Sequence, residues 1–443
     1  MLEPSGAGGS PLPTSEGLER RDLYFALPSS ADMRISLPMG TGTVSAELPF
    51  DVETVLPKEC TRGCGGSLDS EALLESALKN PVGSERLCEI VGGGESVAIL
   101  VSDITRPVPT RRLLTHLFSE LLLAGVERDA LIVFGLGLHR AMSEEEKRLI
   151  LGEHYWKRHV EHDRERCTFL GETSQGTPVE VFSRVAECDR IVCTGNIDFH
   201  YYAGYTGGAK ALLPGVSSTR SIIMNHRLML DETSVAGRVD GAVRRDIDEA
   251  GRIAGVDFIF DVVLDSDKRI VHAISGDMIR AHREGVRVVD EMCKIEVEPV
   301  DIVIVSPGGM PKDINLYQAH KALENVKDAV RDGGAIILVA ACPDGYGNAT
   351  FESWLNQCER AEDAITLFHE SFVMGGHKAA LIAKLSLEKD LYLVSERPRD
   401  FGEKAYFKHE KRLQDAVSRA VEGRKDARIL IVPYGSTTLL SST

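Results

Sequence analysis

Residues 96–103, SVAILVSD, stay apolar from Val97 to Val101 and then stop at Ser and Asp, and this pattern decides the fold. A short β-branched run without alternation marks a strand buried on both faces, as in a parallel sheet, and not a strand with one wet side. ALIVFGLG over 130–137 and RIVCTGNI over 190–197 repeat the pattern, each ending in glycine or polar residues. Between them lie helical spacings: TRRLLTHLFSELLLA over Thr110–Ala124, and a segment over Glu144–Leu151 announced by the capping-box start Ser143-Glu144-Glu145-Glu146. Such alternation predicts right-handed βαβ crossovers.

A second series follows Glu298: DIVIVSPGG from Asp301, GGAIILVAAC from Gly333, DLYLVS from Asp390 and RILIVPYGS from Arg428. The 443 residues exceed one ordinary core. The expected fold is therefore α/β, two domains with mainly parallel sheets and an active-site cleft between them. Residues 1–30 read as a flexible leader, 31–296 as the N-terminal α/β domain and 297–443 as the C-terminal one. The stretch RISLPMGTGTVSAELP, Arg34–Pro49, alternates around Gly-Thr-Gly and is expected to open the first domain as a β-hairpin.

Composition removes whole classes of function. A formal charge of −16 with no Lys/Arg block disfavours nucleic acid and anionic membranes. No apolar run approaches the roughly 18 residues of a membrane span. The first twenty residues lack the basic start and apolar stretch of a secretory signal. Nine dispersed cysteines do not make a disulfide framework and fit a reducing cytoplasm; Cys60 and Cys64 read as loop thiols, since no second close pair completes a metal site. Gly-x-Gly-x-x-Gly and P-loop fingerprints are missing, which demotes an ordinary NAD dehydrogenase.

Polar residues gather where the strands end, the place where open α/β sheets bind ligands at a reversal of strand order. In Ser102–Thr110 (SDITRPVPT) the strand gives way to Asp103, Thr105 and Arg106 ahead of a proline-bounded helix start. Arg106 suits a two-pronged grip on an anion; the same residues read equally as an Asp-Arg pair with Asp103 or Thr110 capping the helix. In GLGLHR, 135–140, His139 falls in a strand-to-helix loop, where a lone imidazole is usually just solvated.

The richest stretch is NIDFHYYAGYTGGAKALLPGVSSTRSIIMNHR, 196–227, holding His200, Lys210 and His226. Gly204, Gly207, Gly208 and Gly215 let its backbone approach a bound group and offer N–H donors to phosphate. Lys210 reads either as a surface charge or as an amine that attaches covalently to a cofactor carbonyl or thiocarbonyl. His226 can bind nickel or another borderline metal, although alone it reads better as a core or surface histidine. Downstream, Tyr317 and Gln318 share a helical face with Lys321 that would favour a carboxylate at a cleft. Gly345-Tyr346-Gly347 and Gly375-Gly376-His377-Lys378 read as pocket-shaping loops or as plain turns.

Together these clusters resemble the nickel-dependent lactate racemase family, from about Arg34 almost to the C-terminus. Asp103-Ile-Thr-Arg106-Pro is similar to its D-x-T-R-P element and Gly137-Leu-His139-Arg140 to its G-x-H-R element. His200-Tyr-x-Ala-Gly-x-x-Gly-Gly-x-Lys210 is similar to H-Y-x-A-G-x-x-G-G-x-K, and Tyr317-Gln318-x-x-Lys321 to Y-Q-x-x-K. Ala209 departs from the G-G-R-K sequence of many members, which touches phosphate or loop contacts and not the tether.

The resemblance implies a racemase or epimerase of a 2-hydroxy acid. The reaction would be reversible hydride transfer to a nickel-pincer nucleotide, through a 2-keto acid, with His139 and His200 as acid/bases. It implies a pyridinium-3,5-bisthiocarboxylic acid mononucleotide tethered to Lys210, lying against Asp103, Thr105, Gly207 and Gly208, with His226 as nickel ligand. Arg106, Tyr317, Gln318 and Lys321 would hold the substrate carboxylate, so that the first domain anchors cofactor and the second contributes to substrate binding. Hydride transfer suits this substrate class because its α-proton is very weakly acidic beside a carboxylate. Implied partners are the small 2-hydroxy acid and cofactor-maturation enzymes. Two rivals share the residues: an oxidoreductase using the same cofactor, and a non-catalytic nickel-cofactor carrier, which would need no paired histidines.

Overall fold

The computed structural model describes residues 33–48, 52–56, 69–126, 128–265, 268–424 and 426–442; the leader and Cys60 and Cys64 lie outside them. Two six-stranded sheets organise the chain. The first runs, edge to edge, Ile270–Gly276, Val256–Leu264, Arg190–Asn196, Val97–Ser102, Ala130–Gly135 and His159–Glu161. Only the Val256–Leu264 and Ile270–Gly276 pair is antiparallel. Val97 to Val101 are buried throughout, so both faces of that strand are dry and its sequence has no polar alternation.

The chain enters this sheet at Val97–Ser102, adds its next two strands on one side, and returns on the other with Arg190–Asn196. That reversal sets the carboxyl ends of Val97–Ser102 and Arg190–Asn196 side by side, where such sheets leave a crevice. The helix Thr110–Ala124 matches its expected limits and buries Leu113, Leu114, Leu117 and Leu121. The next helix opens at Glu144 with its Ser143–Glu146 capping box formed, and it breaks at Gly152 (φ +69°), just past the expected end at Leu151, before a further turn to Tyr155.

The second sheet is parallel throughout, in the order Lys408–Glu410, Asp390–Val394, Val330–Val339, Val300–Val305, Ile429–Val432 and Val52–Thr54. Its last strand corrects an expectation. The hairpin forms as Met33–Met39 and Gly42–Leu48, but it does not open the first domain. Ile35, Leu37, Ala46 and Leu48 pack with Ile302, Ile304, Ile337 and Tyr392, so the hairpin covers an apolar face of the second sheet and Val52–Thr54 extends its edge. Burial of those faces outweighs closeness in sequence. Lys294–Val297, where the boundary was expected, pairs with the terminal strand Leu439–Ser442. One buried cluster includes residues of both sheets, from Leu100 and Cys193 to Val303 and Leu338, so the two halves meet through packed side chains. Among the described residues no helix is long and apolar enough to cross a membrane.

Candidate active site

The parallel pairing of Val97–Ser102 with Ala130–Gly135 places Ser102 opposite Gly135, and the loops beyond them run together. Nδ1 of His139 there lies 2.6 Å from Oδ2 of Asp103. The other oxygen, Oδ1, accepts from the Thr105 amide at 3.1 Å and its hydroxyl at 2.6 Å. Burial pushes the Asp103 carboxyl up, but these bonds outweigh it and hold it below the usual range. Both oxygens of Asp103 are thus engaged with the protein, one of them orienting His139; the helix instead begins behind Pro109. An ionised Asp103 accepts a hydrogen bond from Nδ1–H of His139, so the proton stays on Nδ1 and Nε2 is the acceptor. Arg106 is exposed, with no carboxylate in salt-bridge range among the described residues.

The strand Arg190–Asn196 feeds a two-residue strand, Phe199–His200, paired with Gly204–Tyr205. His200 is buried, and its Nδ1 accepts from the Ala203 amide at 3.4 Å. Burial, then the charges of Lys210 and Arg106, keep its pKa well below the ordinary histidine value, so the ring is neutral. Lys210 sits in the 3₁₀ turn Gly208–Ala211 with its Nζ 5.9 Å from the centre of the Tyr202 ring. Its pKa is far below the usual lysine range, through burial first and then Arg106 and Arg244. The Tyr202 hydroxyl reaches Nε2 of His226 at 2.9 Å, so one tyrosine neighbours both amine and imidazole. His226, on the helix Thr219–Arg227, is buried with no side-chain partner at Nδ1 among the described residues, and its pKa is pushed down to about 3 by burial and then Lys210.

The glycine loop differs from expectation in its use. Gly208 has φ +61°, and its N–H is already given to Oδ2 of Asp261 at 2.7 Å. A Cβ on Gly207 would fall 2.7 Å from that same oxygen, and one on Gly208 3.0 Å from the His282 ring. These glycines therefore admit the protein's own buried side chains, and the Gly208 amide is not a free phosphate donor. Arg244, wholly buried and paired with Asp248 at 3.0 Å, donates to the carbonyls of Tyr205 and Gly207. Ala209 is buried close to Gly251, so an arginine there would need the helix Ala242–Ala254 to give way.

From the second half, the helix Leu316–Val326 begins at Asn315, whose Oδ1 accepts from Gln318 N at 3.0 Å. Tyr317, Gln318 and Lys321 lie on its opening turns. Lys321 is held below its ordinary pKa by burial and by Arg106, against a pull from Asp198; Asp198 is raised by burial, against Arg106 and Lys321. Arg106 and Lys321, from opposite halves, both act on the Asp198 carboxyl. The two thus bring positive charge to Asp198 in a chain of net charge −16. Such a concentration suits an anionic ligand.

Asp198, Tyr201, Tyr202 and Arg244 escaped the sequence reading. Two adjacent tyrosines after a histidine carried no signal of facing different partners. His377 and Lys378, read only as part of a loop, are buried at the start of the helix Gly376–Glu388. Lys378 Nζ lies 3.8 Å from the centre of the Tyr317 ring, and burial pushes its pKa down to about 7.

Fold and site together define a two-domain α/β protein whose titratable side chains gather where its two halves meet. The family Lactate racemase N-terminal domain matches residues 39–237, and Lactate racemase C-terminal domain matches residues 295–440. A lactate racemase of Thermoanaerobacterium thermosaccharolyticum is 27% identical over 420 residues, covering 92% of this chain and 99% of that one. A lactate racemase of Lactiplantibacillus plantarum is 29% identical over 418 residues, covering 88% and 98%. The solved lactate racemase apoprotein of T. thermosaccharolyticum superposes with a TM-score of 0.81 at 28% identity, over 92% of this chain and all of that one. A Thermotoga maritima protein shares the fold alone, at 19% identity and a TM-score of 0.57 over 84% of this chain and 98% of that one. The chain belongs to the lactate racemase family.

Proposed function

We propose that this enzyme racemises or epimerises a 2-hydroxy acid, with His139 and His200 as acid/bases and a nickel-pincer nucleotide tethered at Lys210. The observation that carries the reading is the Asp103–His139 pair beside the cation Arg106, whose charge also reaches His200 and Lys210. The donor set fits the cofactor. Among the described residues Lys210 has no carboxylate in salt-bridge range, and its lowered pKa favours the neutral amine, the form that bonds to a thiocarboxylate. Among the described residues Nδ1 of His226 is buried with no side-chain partner, only the Ile222 backbone bearing on the ring. Among the described residues no group of three or more His, Cys, Asp or Glu side chains forms a metal site. A nickel ion would thus take His226 from the chain and its other donors from the nucleotide.

The chemistry such a cofactor supplies when bound is reversible acceptance of hydride from the α-carbon. Arg106 and Lys321 hold the substrate carboxylate, and Gln318 and Tyr317 orient it from the second domain. Nε2 of His139 takes the hydroxyl proton, and Asp103 stabilises the resulting imidazolium. The 3.4 Å contact at Nδ1 of His200 is weak enough to allow either neutral tautomer, so this ring serves the opposite enantiomer. The remaining proposals are reaction in the cytoplasm and loading by separate maturation enzymes.

The test is turnover of one enantiomer deuterated at the α-carbon, by protein co-produced with pincer-making enzymes. Hydride transfer predicts both enantiomers at equilibrium with deuterium retained. Washout of the label into water would overturn the mechanism, and net keto acid with an external acceptor would indicate an oxidoreductase. A loaded protein without turnover would be a carrier.

A further inference from the structure

Three rings from the two halves stack in a row. His200 lies on Tyr201 with centroids 5.2 Å and planes 12° apart, and Tyr201 lies on His377 at 6.2 Å and 15°. Phe372 continues the row at 6.2 Å and 23° beyond His377. His200 and Tyr201 follow a strand of the first sheet, whereas His377 opens a helix packed on the second. His377 is 1% exposed, and its hydrogen bonds fix its tautomer. Nδ1 accepts from the Gly375 amide at 3.1 Å, so the proton sits on Nε2 and is donated to the Tyr201 hydroxyl at 2.8 Å. Tyr201 is in this way held on its face by His200 and at its hydroxyl by a directed bond from the other half of the molecule.

We propose that Tyr201 and His377 are positioning residues which fix the plane of the His200 imidazole and make its orientation depend on contact between the two domains. The inference rests on His200 being an acid/base of the proposed reaction. Stacking alone leaves a ring free to slide and rotate in its plane, while the His377 bond pins the far edge of Tyr201 and so the surface on which His200 rests. Joining the domains would then complete the site as well as enclose it.

The experiment compares Tyr201→Phe, His377→Leu, His377→Gln and the double variant Tyr201→Phe/His377→Leu. Phe keeps the stacked ring and removes only the bond, and Gln keeps an N–H donor. Two readings are taken: kcat and KM of the loaded enzyme, and the rate at which diethyl pyrocarbonate modifies His200 in the apoprotein, followed by peptide mass. Tyr201→Phe and His377→Leu should each lower kcat about tenfold with KM within about twofold. The double variant should be no worse than the poorer single one, and Gln should recover most of the loss. Modification of His200 should quicken severalfold in the Phe and Leu variants.

The inference is overturned if Tyr201→Phe leaves both kcat and the modification rate within about twofold of the parent. It is equally overturned if the losses add and KM rises with them, as interface packing alone would give. Should His377→Leu not fold, Tyr201→Phe carries the test. If the parent enzyme racemises nothing, the functional reading has failed, and the apoprotein modification rates still decide whether Tyr201 and His377 hold His200.

Discussion

Nδ1 of His139 and Oδ2 of Asp103 stand 2.6 Å apart although 36 residues separate them in the chain. Adjacent parallel strands ending in step make the meeting unavoidable, since Ser102 and Gly135 are paired. The carboxylate fixes which imidazole nitrogen carries the proton, and thereby which one is free to accept it.

Replacing Asp103 with Asn should therefore leave the fold intact and lower kcat by about ten-thousandfold, as loss of a carboxylate that sets a histidine tautomer does elsewhere. Initial racemisation rates and far-ultraviolet circular dichroism check this. A loss confined to KM would count against the tautomer argument.

Lys210→Arg should abolish the covalent adduct seen by intact mass in protein co-produced with pincer-making enzymes, since a guanidinium stays protonated and cannot form the amide-type bond. His226→Ala should retain the adduct and lose nickel, read by elemental analysis. An adduct persisting in the Lys210 variant would move the tether elsewhere.

Arg106→Ala and Lys321→Ala should each raise KM by about tenfold to a hundredfold, the worth of one charge-assisted hydrogen bond to a carboxylate. Arg106→Lys should restore little, because the forked donor pair is lost. Uniform KM across the three variants would remove these residues from the carboxylate site.

Asp261 should make stability depend on pH. Burial, against the Gly208 amide and Arg244, raises its carboxyl from the ordinary 3.8 to about 7. Between those values the folded protein keeps a proton that the unfolded chain has released, so stability falls as pH rises through the window. Asp261→Asn should melt progressively higher relative to the parent from pH 4.5 to about 7, and the gap should then level off. A gap constant with pH would mean that Asp261 titrates normally.

Local signals made much of the first sheet legible. Unbroken β-branched runs announced buried parallel strands, the Ser143–Glu146 box marked a helix start, and Asp103, His139 and His200 stood at strand ends where ligands gather. The hairpin after Arg34 was correctly read as a hairpin and wrongly joined to the first domain, because alternation tells which side of a strand is apolar and not which sheet it will cover. Gly207 and Gly208 looked like a ligand cradle, yet a sequence cannot distinguish a glycine needed by a ligand from one needed by a buried aspartate 53 residues away.

Chain chemistry by itself determined which groups this protein could bring to a reaction: two loop imidazoles, an amine after paired glycines, an arginine at a strand end and a lysine on a helix. Only the tertiary structure decided their states and company. Desolvation lowers the pKa of Lys210 and His200, Tyr202 neighbours both Lys210 and His226, and Tyr201 ties His200 to His377 across the domains. The reason is physical: residue identity is inherited along the chain, whereas dielectric, tautomer and orientation are properties of what packs around each side chain.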